Sequence, residues 1–152
     1  MKYKRVFLDA NIILDIYDEK RPFYKESSEV ISTLLQQNDI ELFTSCDIIT
    51  TLYYVLSKKG KMDALDSILD LNELCSVVEF SNFEIDESCK LMKKNKKFTD
   101  LEDTIQYIIA KKASCDLILS NDKKFVSDEM VLMNSKEFIH SISGEVERGA
   151  GV

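Results

Sequence analysis

Glycine is nearly missing from the body of this 152-residue chain: of four glycines, only Gly60 precedes Gly144. A GxGxxG fingerprint or a P-loop needs several glycines at fixed spacing, so nucleotide-cofactor binding of the glycine-loop kind is excluded. Proline occurs once, at Pro22, and tryptophan not at all. The single histidine is His140, and the four cysteines (Cys46, Cys75, Cys89, Cys115) include no CxxC pair. A structural zinc site and a disulfide framework therefore lack their ligands and spacings. The thiols are expected in the core, where free cysteine usually resides. His140, late in the chain, is expected at the surface, and no histidine base is assigned. No apolar run approaches the roughly 20 residues of a membrane span. The N-terminal MKYKRVFLDAN has no apolar signal region followed by a cleavage site. With nothing to target it, the chain is expected in the cytoplasm, with no membrane partner.

What is present is an ordinary globular composition, 45% hydrophobic and 31% charged, long enough for one domain with a real core. The net charge of −7 argues against a protein living on non-specific nucleic-acid binding, which would be basic. It does not exclude a nuclease, because a bound cation inverts the sign of a carboxylate cluster locally.

Short apolar runs alternate with helical periodicity along the chain. Strands are expected at 5–8, 40–44, 76–80, 116–120 and 131–133. Helices are expected at 9–17, at 23–37, from a cap at Ser45 or Asp47 to Leu56, and at 63–74, then from Asn82 or Asp86 to Lys94, from Asp100 to Lys112, and briefly after Asn134. Such alternation predicts an α/β fold with a parallel sheet and helices on both faces. No linker or repeat divides it, so residues 1–142 form one domain. The glycine-bearing tail, 143–152, is expected to be disordered.

Three acids stand out by position. Asp9 ends the first strand in VFLDAN, Asp103 opens the helix in TDLEDTIQ, and Asp122 follows the strand LILS. In a parallel sheet these ends share one edge, where ligands sit. Carboxylates sharing a site stay ionised together only if a cation neutralises them. Hard oxygen ligands select Mg²⁺ or Mn²⁺, which activates water and stabilises charge on a transferring phosphate. Asp100, one helical turn before Asp103, is either a further ligand or the cap of that helix. The basic run Lys93, Lys94, Lys96 and Lys97 reads either as a solvated loop or as a clamp for RNA phosphates, helped by Arg21 or Lys123 and Lys124. Tyr53 and Tyr54 could stack bases, but their helical spacing beside Leu52 favours packing.

Taken in order, FLDANIILD, RPFY, TSCDIITTLYYVL and DLEDTIQYIIAKKASCDLILSNDKKF resemble a PIN domain, and the bacterial branch similar to VapC toxins. The likeness covers residues 4 to 140. It implies a three-layer α/β/α sandwich around about five parallel strands, Mg²⁺ or Mn²⁺ as cofactor, and endonucleolytic cleavage of single-stranded RNA. A cognate antitoxin and a homodimer face on the helices at 23–37 and 46–59 are implied as partners. Residue by residue, Asp9, Asp103 and Asp122 match family acids, Asn11 a residue that holds the first acid, and Ser120 a small hydroxyl near the metal. One family position departs: the usual glutamate on the helix after the second strand falls on Thr51, which brings a hydroxyl and no charge. Asp47 or Asp100 would have to compensate. The rival is a degenerate PIN fold that binds RNA or protein without cutting. A phosphatase using Asp9 as nucleophile is disfavoured, because Asn11 cannot protonate a leaving group.

Overall fold

The computed structural model describes residues 1–149. Five strands form one sheet: β1 (Arg5–Leu8), β2 (Glu41–Ser45), β3 (Ser76–Val78), β4 (Leu117–Leu119) and β5 (Val131–Met133). Around them run α1 (Ala10–Ile16), α2 (Tyr24–Leu35), α3 (Cys46–Leu56), α4 (Lys61–Leu74), α5 (Asn82–Lys94), α6 (Leu101–Lys112) and α7 (Ser135–Gly149). The strand order is β3-β2-β1-β4-β5 and every pairing is parallel. The expected three-layer sandwich is what forms.

Burial explains the order. Val6, Phe7 and Leu8 of β1 and Leu117, Ile118 and Leu119 of β4 have essentially no exposed surface. Strands covered on both faces read as unbroken apolar runs, and these two lie at the centre of the sheet. The edge strand β5 exposes Val131. From β1 the chain winds outward through β2 and β3, then returns to place β4 on the other side of β1. Winding therefore reverses between β1 and β4, and the crevice above their C-terminal ends is where an open α/β sheet binds ligands.

Helix α5 starts at Asn82, one of the two expected places, with Ser81 as its N-cap. The Ser81 backbone N–H donates to the Glu84 carboxylate (3.1 Å) in a capping box, the S-x-x-E signature. Strand β3 stops at Val78, two residues short. Helix α6 closes with a Schellman pattern: Ser114 N donates to Lys111 O (3.0 Å) and Cys115 N to Ala110 O (2.9 Å). Glycine usually takes the left-handed position this requires, yet Ser114 occupies it with φ 54°.

The tail is the clearest correction. Helix α7, expected to be short, runs through Ser143 to Gly149. Asn134 and Glu137 cap it reciprocally (2.8 and 3.1 Å), and Phe138, fully buried, anchors it to the body, so propagation continues outward from a fixed first turn. The remaining tail residues, 150–152, lie outside the described residues. Cys75 and Cys115 are buried as expected, and burial pushes both thiols up to about 12. Cys46 and Cys89 are only half-buried. Among the described residues, no helix is long and apolar enough to cross a membrane.

Candidate metal centre

Asp9 follows β1 directly and is nearly buried. It is the N-cap of α1: its Oδ1 accepts from the Ala10 N–H at 2.7 Å. Its Oδ2 accepts from the Ser120 hydroxyl (2.7 Å) and the Asn11 amide (2.8 Å). Ser120 and Asn11 thus both donate to the same oxygen of Asp9. Ser120 Oγ also accepts from the Asp122 backbone N–H (3.1 Å), which joins the loop after β4 to the end of β1. Burial raises the Asp9 pKa and the Asp122 charge adds to it, while the three hydrogen bonds oppose the shift.

Asp103 arrives from the other direction. The C-terminal turn of α6 leads to Asp116, whose N–H bonds the Arg5 carbonyl at the start of β1. Twelve helical residues span about 18 Å. The N-terminus of α6 accordingly stands at the opposite edge, with Asp9 and Asp122. Burial pushes Asp103 up to about 7, and the charges of Asp9, Asp100, Asp122 and Glu102 push the same way. Asp100 is the N-cap of α6, its Oδ1 accepting from the Asp103 N–H at 2.9 Å, so the capping reading holds.

Sequence reasoning missed Glu102. Burial raises its pKa, with Asp47, Asp100 and Asp9 adding repulsion, so it belongs to the same acidic field. Its signal was adjacency to Asp103 in Leu-Glu-Asp, overlooked because neighbours in a helix usually diverge. Thr51 is exposed on α3, and its hydroxyl turns back to the Asp47 carbonyl (3.5 Å). The Asp47 side chain accepts from the Ser45 hydroxyl and lies near enough to Glu102 to raise it.

Other expected contributors are placed elsewhere. Arg21 is half-buried, its Nε donating to buried Asp15 at 2.7 Å, so its charge is already paired. Lys97 pairs with Asp128 (3.1 Å), which also accepts from Asn95 (2.8 Å). Lys93, Lys94 and Lys96 are exposed, as are Lys123 and Lys124. Tyr54 is 68% exposed rather than packed, with the Lys58 ammonium 4.6 Å from its ring centre. It projects from the far side of the turn that buries Leu52. His140 is exposed.

The donor set fits a hard divalent cation: Asp9, Asp100, Glu102, Asp103 and Asp122 are all oxygen donors, with no imidazole or thiolate among them. Burial first and then the charges of the other four all push the Asp103 pKa up, the direction a bound cation would reverse. Among the described residues, no three such side chains are gathered closely enough to grip an ion as they stand. Like charges standing apart is the electrostatic expectation.

Residues 5–124 match the PIN domain profile. The chain is 45% identical over 138 residues to Ribonuclease VapC1 of Aquifex aeolicus (strain VF5), covering 91% of this chain and 95% of that one. It superimposes on VapC20 of Mycobacterium tuberculosis, a Sarcin-Ricin loop cleaving toxin, with a TM-score of 0.64 at 9% identity, over 79% of this chain and 92% of that one. A toxin–antitoxin complex from Klebsiella pneumoniae gives 0.65 at 14% identity, over 86% and 97%. At such identities the two structures speak for the fold alone. With the profile spanning most of its length and a relative nearly half identical, the chain belongs to the PIN domain family, in its VapC-like branch.

Proposed function

We propose that this protein is a Mg²⁺- or Mn²⁺-dependent endoribonuclease acting on single-stranded RNA, the toxin of a toxin–antitoxin pair. One observation carries the reading: at the sheet's topological switch point, Ser120 joins Asp9 at the end of β1 to the backbone of Asp122 after β4, and Asp103 on α6 feels both charges. The 45% identical relative is a ribonuclease, which supports the choice of chemistry.

Asp9, Asp103 and Asp122 would hold the ion, with Asp100 or Glu102 able to supply a further oxygen. A bound divalent ion supplies Lewis acidity at the scissile phosphate and lowers the pKa of the attacking water. Asn11 and Ser120 keep Asp9 oriented by donating to one of its oxygens, leaving the Ala10 N–H on the other. Without an ion, burial and the neighbouring acids push Asp103 up to about 7, and a bound cation would favour its ionised form. Lys93, Lys94 and Lys96, exposed before α6, would meet RNA phosphates. A small protein antitoxin that covers the acidic crevice would silence the site. Leu35 (48% exposed) and Tyr54, on α2 and α3, suit a homodimer face.

Thr51 favours a second reading, a PIN fold that binds without cutting, since no acid occupies that place on α3. Mn²⁺ titration beside cleavage of single-stranded RNA decides between them, with Asp9→Asn and Asp103→Asn in parallel. Metal-dependent cleavage lost in both variants is the expected outcome. Folded, antitoxin-free protein that binds no metal and leaves RNA intact would establish the binding module instead.

A further inference from the structure

Asp15 is more deeply buried than any other acid among the described residues, at 2% exposure, yet it lies outside the acidic crevice. A buried carboxylate persists only when its lone pairs are filled. Here Oδ1 accepts from Arg21 Nε (2.7 Å), and Oδ2 accepts from Ser27 Oγ (2.7 Å) and Asn121 Nδ2 (2.9 Å). Asn121 is the hub of this network. Its second Nδ2 hydrogen goes to Ser27 Oγ (3.0 Å), while its Oδ1 accepts from both the N–H and the hydroxyl of Ser135 at the start of α7 (2.9 Å each). The backbone N–H of Ser135 can only donate and Asp15 can only accept, so the amide has one possible orientation.

The chain of bonds continues into the metal centre. The Asn121 backbone N–H donates to Asn11 Oδ1 (2.9 Å), and Asn11 Nδ2 donates to Asp9. Asn121 sits between Ser120, which also donates to Asp9, and Asp122. We propose that Asp15 and Asn121 are positioning residues, whose interlock fixes the 120–122 loop and Asn11 so that Asp9 and Asp122 present their carboxylates together. This inference rests on the nuclease reading only for its last link, the metal. The buried carboxylate is joined directly to α2 and to the loop after β4, and through Asn121 to α7.

The donor and acceptor of the interlock can be exchanged, which makes it testable. In Asp15→Asn, the new amide N–H must face either the Asn121 amide or Arg21 Nε, a donor against a donor in both cases; in Asn121→Asp, two carboxylates face each other. The double variant restores complementarity with the roles exchanged: the new amide donates to the new carboxylate, which still accepts from Ser135. Each single variant is expected to weaken Mn²⁺ binding, read by titration calorimetry, by about 10- to 100-fold. Amide hydrogen exchange at Asn121 and Asp122 should quicken in the metal-free single variants, and the double variant should recover both readouts. Folded single variants with wild-type Mn²⁺ affinity, or a folded double no better than either single, would overturn the proposal. Should a single variant fail to fold, Ser135→Ala replaces it, removing one donor to Asn121 while sparing Asp15. A smaller loss of the same sign is then expected, and an unchanged affinity counts against the idea. If wild-type protein binds no Mn²⁺, the metal reading fails by itself; exchange at the two amides then decides, with recovered protection in the double variant sustaining the interlock and its absence overturning it.

Discussion

At the scale of single residues, the acids of the crevice trade stability for chemistry. Asp103 has a folded pKa of about 7 against an ordinary 3.8, and Asp9 is raised too. Between those values the folded protein keeps a proton that the unfolded chain has released. The associated stability is therefore complete below about pH 4, drains as pH rises towards 7, and stays lost above it. Metal-free protein should melt at a lower temperature at pH 8 than near pH 5.5, in thermal scans with chelator present. Asp103→Asn should flatten that dependence and raise the melting point at pH 8. Added Mn²⁺ should stabilise the wild type at pH 8 and leave Asp103→Asn unmoved. A variant that keeps the full slope would place its origin in other groups.

At the scale of elements, two helix ends carry separate expectations. Ser114 holds the left-handed position of the α6 Schellman turn, a conformation that costs an L-residue roughly 1–2 kcal/mol. Ser114→Gly is expected to stabilise the protein by about 1 kcal/mol in denaturant unfolding, because the hydrogen bonds of that turn come from the backbone and survive. For α7 the anchoring lies in its first turn. Phe138→Ala should cost about 3–5 kcal/mol, the usual range for deleting a fully buried aromatic. Ending the chain after Ser143 should cost less than about 0.5 kcal/mol, since Glu145, Glu147 and Arg148 are exposed and a methyl group on Gly144 would touch nothing within 4 Å. Reversal of those two magnitudes would mean that the outer turns hold the helix down.

For the whole molecule, the net charge of −7 sets the terms of the proposed RNA binding. Contact with phosphates must be local, and the exposed lysines before α6 are the positive groups proposed for it. Binding of a non-cleavable single-stranded RNA should weaken with salt, each neutralised phosphate contributing about 0.7 to the logarithmic slope. Replacing Lys93, Lys94 and Lys96 together with Gln should lower that slope by about 2. Lys97→Gln should leave it nearly unchanged, because that ammonium is already paired with Asp128. An unaltered slope in the triple variant would move the RNA path elsewhere on the surface.

Much of this was decided by sequence alone. Unbroken apolar runs at Val6–Leu8 and Leu117–Leu119 specify strands buried on both faces, and their alternation with helical periodicity specifies a parallel α/β fold. An acid directly after such a strand is bound to face the ligand edge, which made the placement of Asp9 legible; Asp122 comes three residues past β4, and the capping role was open to Asp100. The tertiary structure decided which polar groups meet across the chain. Asp15 reads in sequence as one more polar residue in a helical stretch, and Asn121 as a turn residue. Their partnership spans more than a hundred residues and exists only because β4 returns beside β1. Arg21 looked like a free cation until the fold gave it a buried carboxylate, and Glu102 entered the acidic field only when α6 had been set against the end of β1. Periodicity reports which face of an element is buried. Long-range hydrogen bonds and charge clusters depend on how faces are brought together, and that information lies in the packing.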